Sequence, residues 1–193
     1  MRVFARLYDL VLGWSRHRHA TRYLAVVAFT ESSFFPIPPD VILAPMVLSR
    51  RRKAWVYAGL TTAASVLGGI LGYYLGSIGE WIIGVYHAGD AFSTAKDWFD
   101  TYGVWVILLA GFTPVPYKIF TITAGIMSMS LIPFIVASIV GRGARFFLVA
   151  GLIVFAGSYF KSDEDLIQAL RRYIDIAGWL VIGLVIILIL VWL

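Results

Sequence analysis

Five long apolar runs, two of them broken near the middle by closely spaced prolines, constrain this chain more than any other feature. They are Tyr23–Ser49, Ala54–Gly79, Gly103–Leu131, Pro133–Phe160 and Ile176–Leu193. Each approaches or exceeds the ~20 residues a helix needs to cross hydrocarbon. With 60% hydrophobic and 14% charged residues in a chain of 193, a water-soluble interior is too small to hide them. Lipid is the expected solvent, and the expected class is an all-α membrane protein. The first run follows some twenty residues carrying five arginines and has no small-residue cleavage site, so no removable signal peptide is predicted. There is no cysteine, which excludes disulfides and thiolate metal sites.

The net charge of +5 lies in short clusters beside the apolar runs, as an orientation signal and not as a nucleic-acid surface. Arg2, Arg6, Arg16, Arg18 and Arg22 form one cluster and Arg50-Arg51-Arg52-Lys53 the next. If both are cytoplasmic, the run between them enters and leaves on one face. Pro36, Pro38 and Pro39 break its middle, because proline cannot continue a helix and pushes the preceding residue out of it. The prediction is a re-entrant hairpin over 23–49 and a crossing helix over 54–79. A loop over 80–102 follows on the outer face, carrying Glu80, Asp90, Asp97 and Asp100 against Lys96. A second re-entrant hairpin over 103–131, broken by Pro114 and Pro116, leads into a crossing helix over 133–160. Five ordinary crossings are the alternative, and they would place one basic cluster outside. Interfacial amphipathic helices are expected in 1–22, on Val3, Leu7, Leu10, Val11 and Trp14, and in 161–175. A C-terminal transmembrane helix is expected over 176–193.

The two hairpins are related by a repeat. Residues 34–40, Phe-Phe-Pro-Ile-Pro-Pro-Asp, match residues 112–118, Phe-Thr-Pro-Val-Pro-Tyr-Lys. Downstream, Ala64-Ser65-Val66-Leu67-Gly68 matches Ala137-Ser138-Ile139-Val140-Gly141. One crossing separates the two broken segments, so the repeat is an inverted one, in which broken helices meet near the midplane.

Five ionisable residues lie inside apolar runs: Glu31, Asp40, Lys118, Arg142 and Arg145. A charge at the bilayer centre costs roughly 2.5–3.5 kcal/mol, so each requires a partner or water. Arg142 and Arg145 share one helix face. Asp40 and Lys118 occupy equivalent repeat positions with opposite sign. Two readings stand side by side: fixed ion pairs that pin the fold, or a polar path in which arginines meet phosphate and carboxylates exchange protons. Gly68, Gly72 and Gly76 form a close-packing stripe, facing a helix of the same chain or a second subunit in a homo-oligomer. His17, His19 and His87 make no metal constellation, and no cofactor motif or nucleophile–base set is seen, so a covalent reaction is disfavoured. Trp14, Trp55, Trp81 and Trp105 sit near segment ends, as in interfacial belts.

The stretches TESSFFPIPPD, GFTPVPYKIFTITAGIM and GRGARF, in that order, resemble the DedA family, also called the VTT or SNARE-associated Golgi protein domain, and most closely its YqaA-like branch. The resemblance covers about residues 25–158. It implies two opposed re-entrant hairpins in the bacterial cytoplasmic membrane, and movement of phospholipid or polyprenyl phosphate between leaflets, linked in some members to the proton gradient. Glu31 and Asp40 match the family's acidic positions around the first proline motif, and Arg142 and Arg145 match its arginines after the second. Many members carry R-x-x-P-x-x-R at the second motif, where this chain has Gly111 and Tyr117. Substrate and coupling are therefore not carried over. With the resemblance added to the buried charges, a lipid scramblase or proton-linked flippase leads, with a small-solute or ion transporter and a non-transporting scaffold as alternatives.

Overall fold

In the computed structural model, residues 13, 17–33, 38–78, 89–113 and 116–160 are described. Among them every regular element is helical: α1 (Ala20–Ser33), α2 (Asp40–Ser49), α3 (Ala54–Ile78), α4 (Gly89–Tyr102), α5 (Trp105–Phe112), α6 (Tyr117–Ile126) and α7 (Leu131–Ser158). A short 3-10 turn, Arg51–Lys53, joins α2 to α3. Pro36 and Pro114 lie outside the described residues, as do the amphipathic stretch Arg2–Trp14 apart from Gly13 and the segments expected over 161–175 and 176–193. Helix α1 starts at Ala20, three residues before the membrane boundary drawn from charge.

The prolines mark the breaks. Pro39 precedes α2 with φ −65°, the value its ring imposes and a helix start accepts. Thr113, ahead of Pro114, is extended at ψ 164°, because the proline ring excludes the helical conformation there. Pro116, also extended, precedes α6. The run Tyr23–Ser49 thus becomes helices of 14 and 10 residues, and Gly103–Leu131 becomes helices of 8 and 10. Each is well short of the ~20 residues needed to span hydrocarbon. By contrast, the helical stretches Arg51–Ser77 and Leu131–Ser158 are long and apolar enough to cross a membrane.

The stretch 80–102, expected as a loop from its charges, contains a helix. Ala95 and Phe99, four apart on α4, are buried against α5 and α6, while Trp98 stacks on Phe120 at 5.8 Å. The charge count concealed this one-sided apolar spacing. Gly103 closes α4 at φ +57°, a conformation glycine adopts without penalty, and its amide bonds the Phe99 carbonyl at 2.8 Å.

Helices α3 and α7 run antiparallel, since Trp55 lies by Gly151, Thr62 by Gly143 and Ser65 by Arg142. The short helices then pack in a crossed pattern. Helix α1 lies on α3 and α5 on α7, but α2 lies on α7 and α6 on α3. Glycine makes these approaches close enough for backbone contact. A Cβ at Gly68 would collide with the Phe29 carbonyl of α1, one at Gly76 with the Ile122 carbonyl of α6, and one at Gly141 with the Leu108 carbonyl of α5. Gly72 faces the Thr121 hydroxyl. The partners of the stripe Gly68, Gly72 and Gly76 are thus helices of the same chain. Gly68→Val is expected to force α1 off α3 and to cost about 1–3 kcal/mol of overpacking strain, visible as a lowered Tm in detergent.

Along α7, Phe134 and Ala137 belong to one apolar cluster and Phe146 and Ala150 to another. Ser138 and Arg142 lie between them, both buried. Elsewhere α7 exposes Ile132, Val136, Ile139, Val140, Leu148 and Leu152, apolar side chains suited to lipid.

Candidate functional site

The polar layer between the two apolar clusters is built around Arg142, which is 2% exposed. Its Nη2 donates to Glu31 Oε2 at 2.5 Å and to Ser32 Oγ at 3.3 Å, and its Nε donates to Ser65 Oγ at 2.6 Å. Ser32 Oγ in turn donates to Glu31 Oε2 at 3.0 Å and shares a 2.6 Å hydrogen bond with Ser65. If each hydroxyl proton is used once, Ser65 donates to Ser32 and Ser32 to the carboxylate. The guanidinium carbon sits 4.9 Å from the Tyr117 ring centre and 4.7 Å from that of Phe146. Cation–π attraction is strongest at such desolvated positions. Tyr117 donates its own proton to Ser138 at 2.5 Å, so its ring is held in place. Four helices, α1, α3, α6 and α7, meet at this one side chain.

A second pair is built differently. Arg145 Nη2 donates to Asp40 Oδ2 at 2.5 Å, with the two side chains 19% and 24% exposed. Arg145 Nη1 donates to the Thr113 carbonyl at 2.5 Å. That carbonyl stands at the end of α5, where the break before Pro114 withholds the next helical donor. Asp40 opens α2 just after Pro38-Pro39. Arg145 therefore ties together the broken points of both proline segments. Asp40 Oδ1 is buried and has no hydrogen-bond partner among the described residues. A buried acceptor left unpaired costs about 1–3 kcal/mol, more when charged.

Four of the five charges in the apolar runs thus form the ion pairs Glu31–Arg142 and Asp40–Arg145. Lys118 is half-buried in the first turn of α6, and its carbonyl accepts a bond from Thr121 Oγ1 at 2.9 Å. Pro38 is exposed and Pro39 buried beside Asp40, while Pro116 is exposed beside Tyr117. Sequence reasoning did not single out Ser32, Ser65, Ser138 or the Thr113 carbonyl as contacts. It met Tyr117 only as a departure from the expected arginine. A signal for the serines was present, because Ser65 and Ser138 occupy matching slots of the repeat. Among the described residues no group of three His or acidic side chains converges as a metal site would require.

Two helices long enough to span, apolar side chains exposed along α7 and two ion pairs set between helices are the marks of an α-helical membrane protein. The VTT domain matches residues 35–155, well over half of the chain. The chain belongs to that family, the DedA family. It is 43% identical over 191 residues to an uncharacterized protein of Haemophilus influenzae, covering 97% of this chain and 96% of that one. An uncharacterized protein of Histophilus somni is 40% identical over 195 residues, covering 99% of each. Undecaprenyl phosphate transporter A of Staphylococcus aureus is 35% identical over 79 residues, or 41% of this chain and 37% of that one. No solved structure matches the chain.

Proposed function

We propose that the protein moves a phosphate-bearing lipid between the leaflets of the bacterial inner membrane, with Arg145 as the headgroup contact. The observation that carries this is the position of Arg145, bonded at once to the break after Pro39 and to the break before Pro114. Guanidinium forks suit phosphate oxygens as well as carboxylate. A headgroup phosphate would replace Asp40 on Arg145, and Asp40, with one oxygen already unpaired, would take a proton or turn to water. Irregular backbone at membrane depth is tolerated where it lines a polar cavity, which is the setting such breaks provide. A relative named for undecaprenyl phosphate transport supports a lipid phosphate as cargo.

In this reading α1–α2 and α5–α6 are opposed re-entrant hairpins of an inverted repeat. The antiparallel α3 and α7 and the crossed packing of the short helices support it. The N-terminus and the 50–53 cluster are cytoplasmic by the distribution of Arg and Lys. Arg142 has a different task. Its enclosure supports a structural role, holding four helices in register around the path.

The test is leaflet exchange of labelled phospholipid and labelled polyprenyl phosphate in proteoliposomes. The wild type is expected to exchange at least one of them faster than protein-free vesicles do. Exchange of both at the protein-free rate would sink the proposal, and uptake of a small solute without lipid exchange would favour a solute transporter instead.

A further inference from the structure

The second basic cluster does more in the structure than an orientation signal requires. Arg50, Arg51, Arg52 and Lys53 line a cleft of about 660 Å³ together with Val154 and Ser158 from the end of α7. An orientation signal needs positive charge near the membrane, but it needs no cavity and no second wall. The cleft has both. Arg51 is seated against Gly157, where an added Cβ would run into its guanidinium and its Cδ. Arg50, Arg52 and Lys53 are exposed, and the 3-10 turn splays successive side chains about a third of a turn apart.

Aromatic rings stand next in sequence to the residues that line the cleft. At the start of α3, Trp55 stacks on Phe147 at 5.9 Å, and Phe155 and Tyr159 meet edge-to-face at 5.3 Å near the end of α7. Exposed Trp and Tyr rings settle at the headgroup level. Beyond them α7 is apolar, with Leu152 59% and Leu148 47% exposed. Cations above, aromatic rings at the boundary and bare hydrocarbon surface below follow the order of a phospholipid from phosphate to acyl chain.

We propose that this cleft is a binding site for the headgroup of an anionic phospholipid, separate from the Arg145 site. Basic pockets between transmembrane helices on the cytoplasmic side take such head groups. A free phosphate ion would use the cations but gain nothing from the apolar face beneath them. Arg50 and Arg51 hold other contacts within the chain, so Arg52 and Lys53 carry the test.

Purified protein in detergent is titrated with phosphatidylglycerol, with phosphatidylcholine of the same chains, and with inorganic phosphate, and bound lipid is counted by native mass spectrometry. Wild type is expected to bind phosphatidylglycerol about thirtyfold more tightly than R52Q/K53Q does, the factor two interfacial cations supply, with phosphatidylcholine binding unchanged. Gly157→Ala, which displaces only the end of a flexible side chain, is expected to give a smaller loss of the same preference. Equal phosphatidylglycerol affinity in wild type and R52Q/K53Q would overturn the proposal. So would displacement of the bound lipid by inorganic phosphate alone, which would mark a simple anion site. Leaflet exchange by Arg145 is read separately, so either proposal can fail while the other stands.

Discussion

Arg142→Met is expected to destabilise the protein by about 3–5 kcal/mol, the usual cost of removing one partner of a buried ion pair. In a chain of this size that corresponds to a fall in Tm of roughly 6–20 °C. The reason is what remains behind. Glu31, only 14% exposed, is left without a guanidinium, Ser65 loses the Nε donor, and the space between Tyr117 and Phe146 loses its cation. Glu31→Gln combined with Arg142→Met removes the charge from both sides. The double variant is expected to recover a large part of the loss, as buried pairs replaced together often do. Thermal melting of the three variants in detergent measures this. If the double variant falls by the sum of the two single losses, the residues do not act as a pair.

Neutralising the other pair is expected to change flux instead. Asp40→Asn with Arg145→Gln leaves two neutral hydrogen-bonding side chains and no uncompensated charge, so the helices should stay assembled. The guanidinium contact to a passing phosphate is lost. A charge-assisted bond contributes about 1.5–3 kcal/mol, so exchange per folded molecule is expected to fall about tenfold to a hundredfold. The Glu31→Gln/Arg142→Met protein, assayed at a temperature where it remains folded, is expected to retain most of its exchange. Equal losses in both double variants would contradict the division between a holding pair and a working pair. The distinction rests on enclosure. One guanidinium is sealed between rings at 2% exposure, while the other is 19% exposed and bonded to two broken segments.

Much of this was legible in the residues. Apolar length located α3 and α7, and proline spacing located the breaks, because both effects act within a few residues of the chain. The intramembrane charges stood out because lipid makes each of them costly. Their pairing did not stand out. Glu31 or Asp40 could meet either arginine on grounds of charge, and the choice is made by helix rotation, with Ser32 and Ser65 aligned on Arg142 and Thr113 on Arg145. Tyr117 shows the same limit. At a position where the resemblance led to an expectation of arginine, it offers a ring face to an arginine from another helix, and only packing reveals that. Helix α4 was hidden because its acidic surface outweighed the two buried residues, Ala95 and Phe99, that hold it.

The two ion pairs also join residues far apart in the chain, Glu31 to Arg142 across 111 positions and Asp40 to Arg145 across 105. During synthesis at about 5–20 residues per second, each carboxylate is made roughly 5–20 s before its arginine. For that interval the acidic side chains of α1 and α2 have no guanidinium to meet, and lipid alone does not accept them. The arginines of α7 therefore act as the closing step of assembly. A chain interrupted before residue 142 would present two orphan carboxylates, a mark by which quality control can tell an unfinished molecule from a finished one.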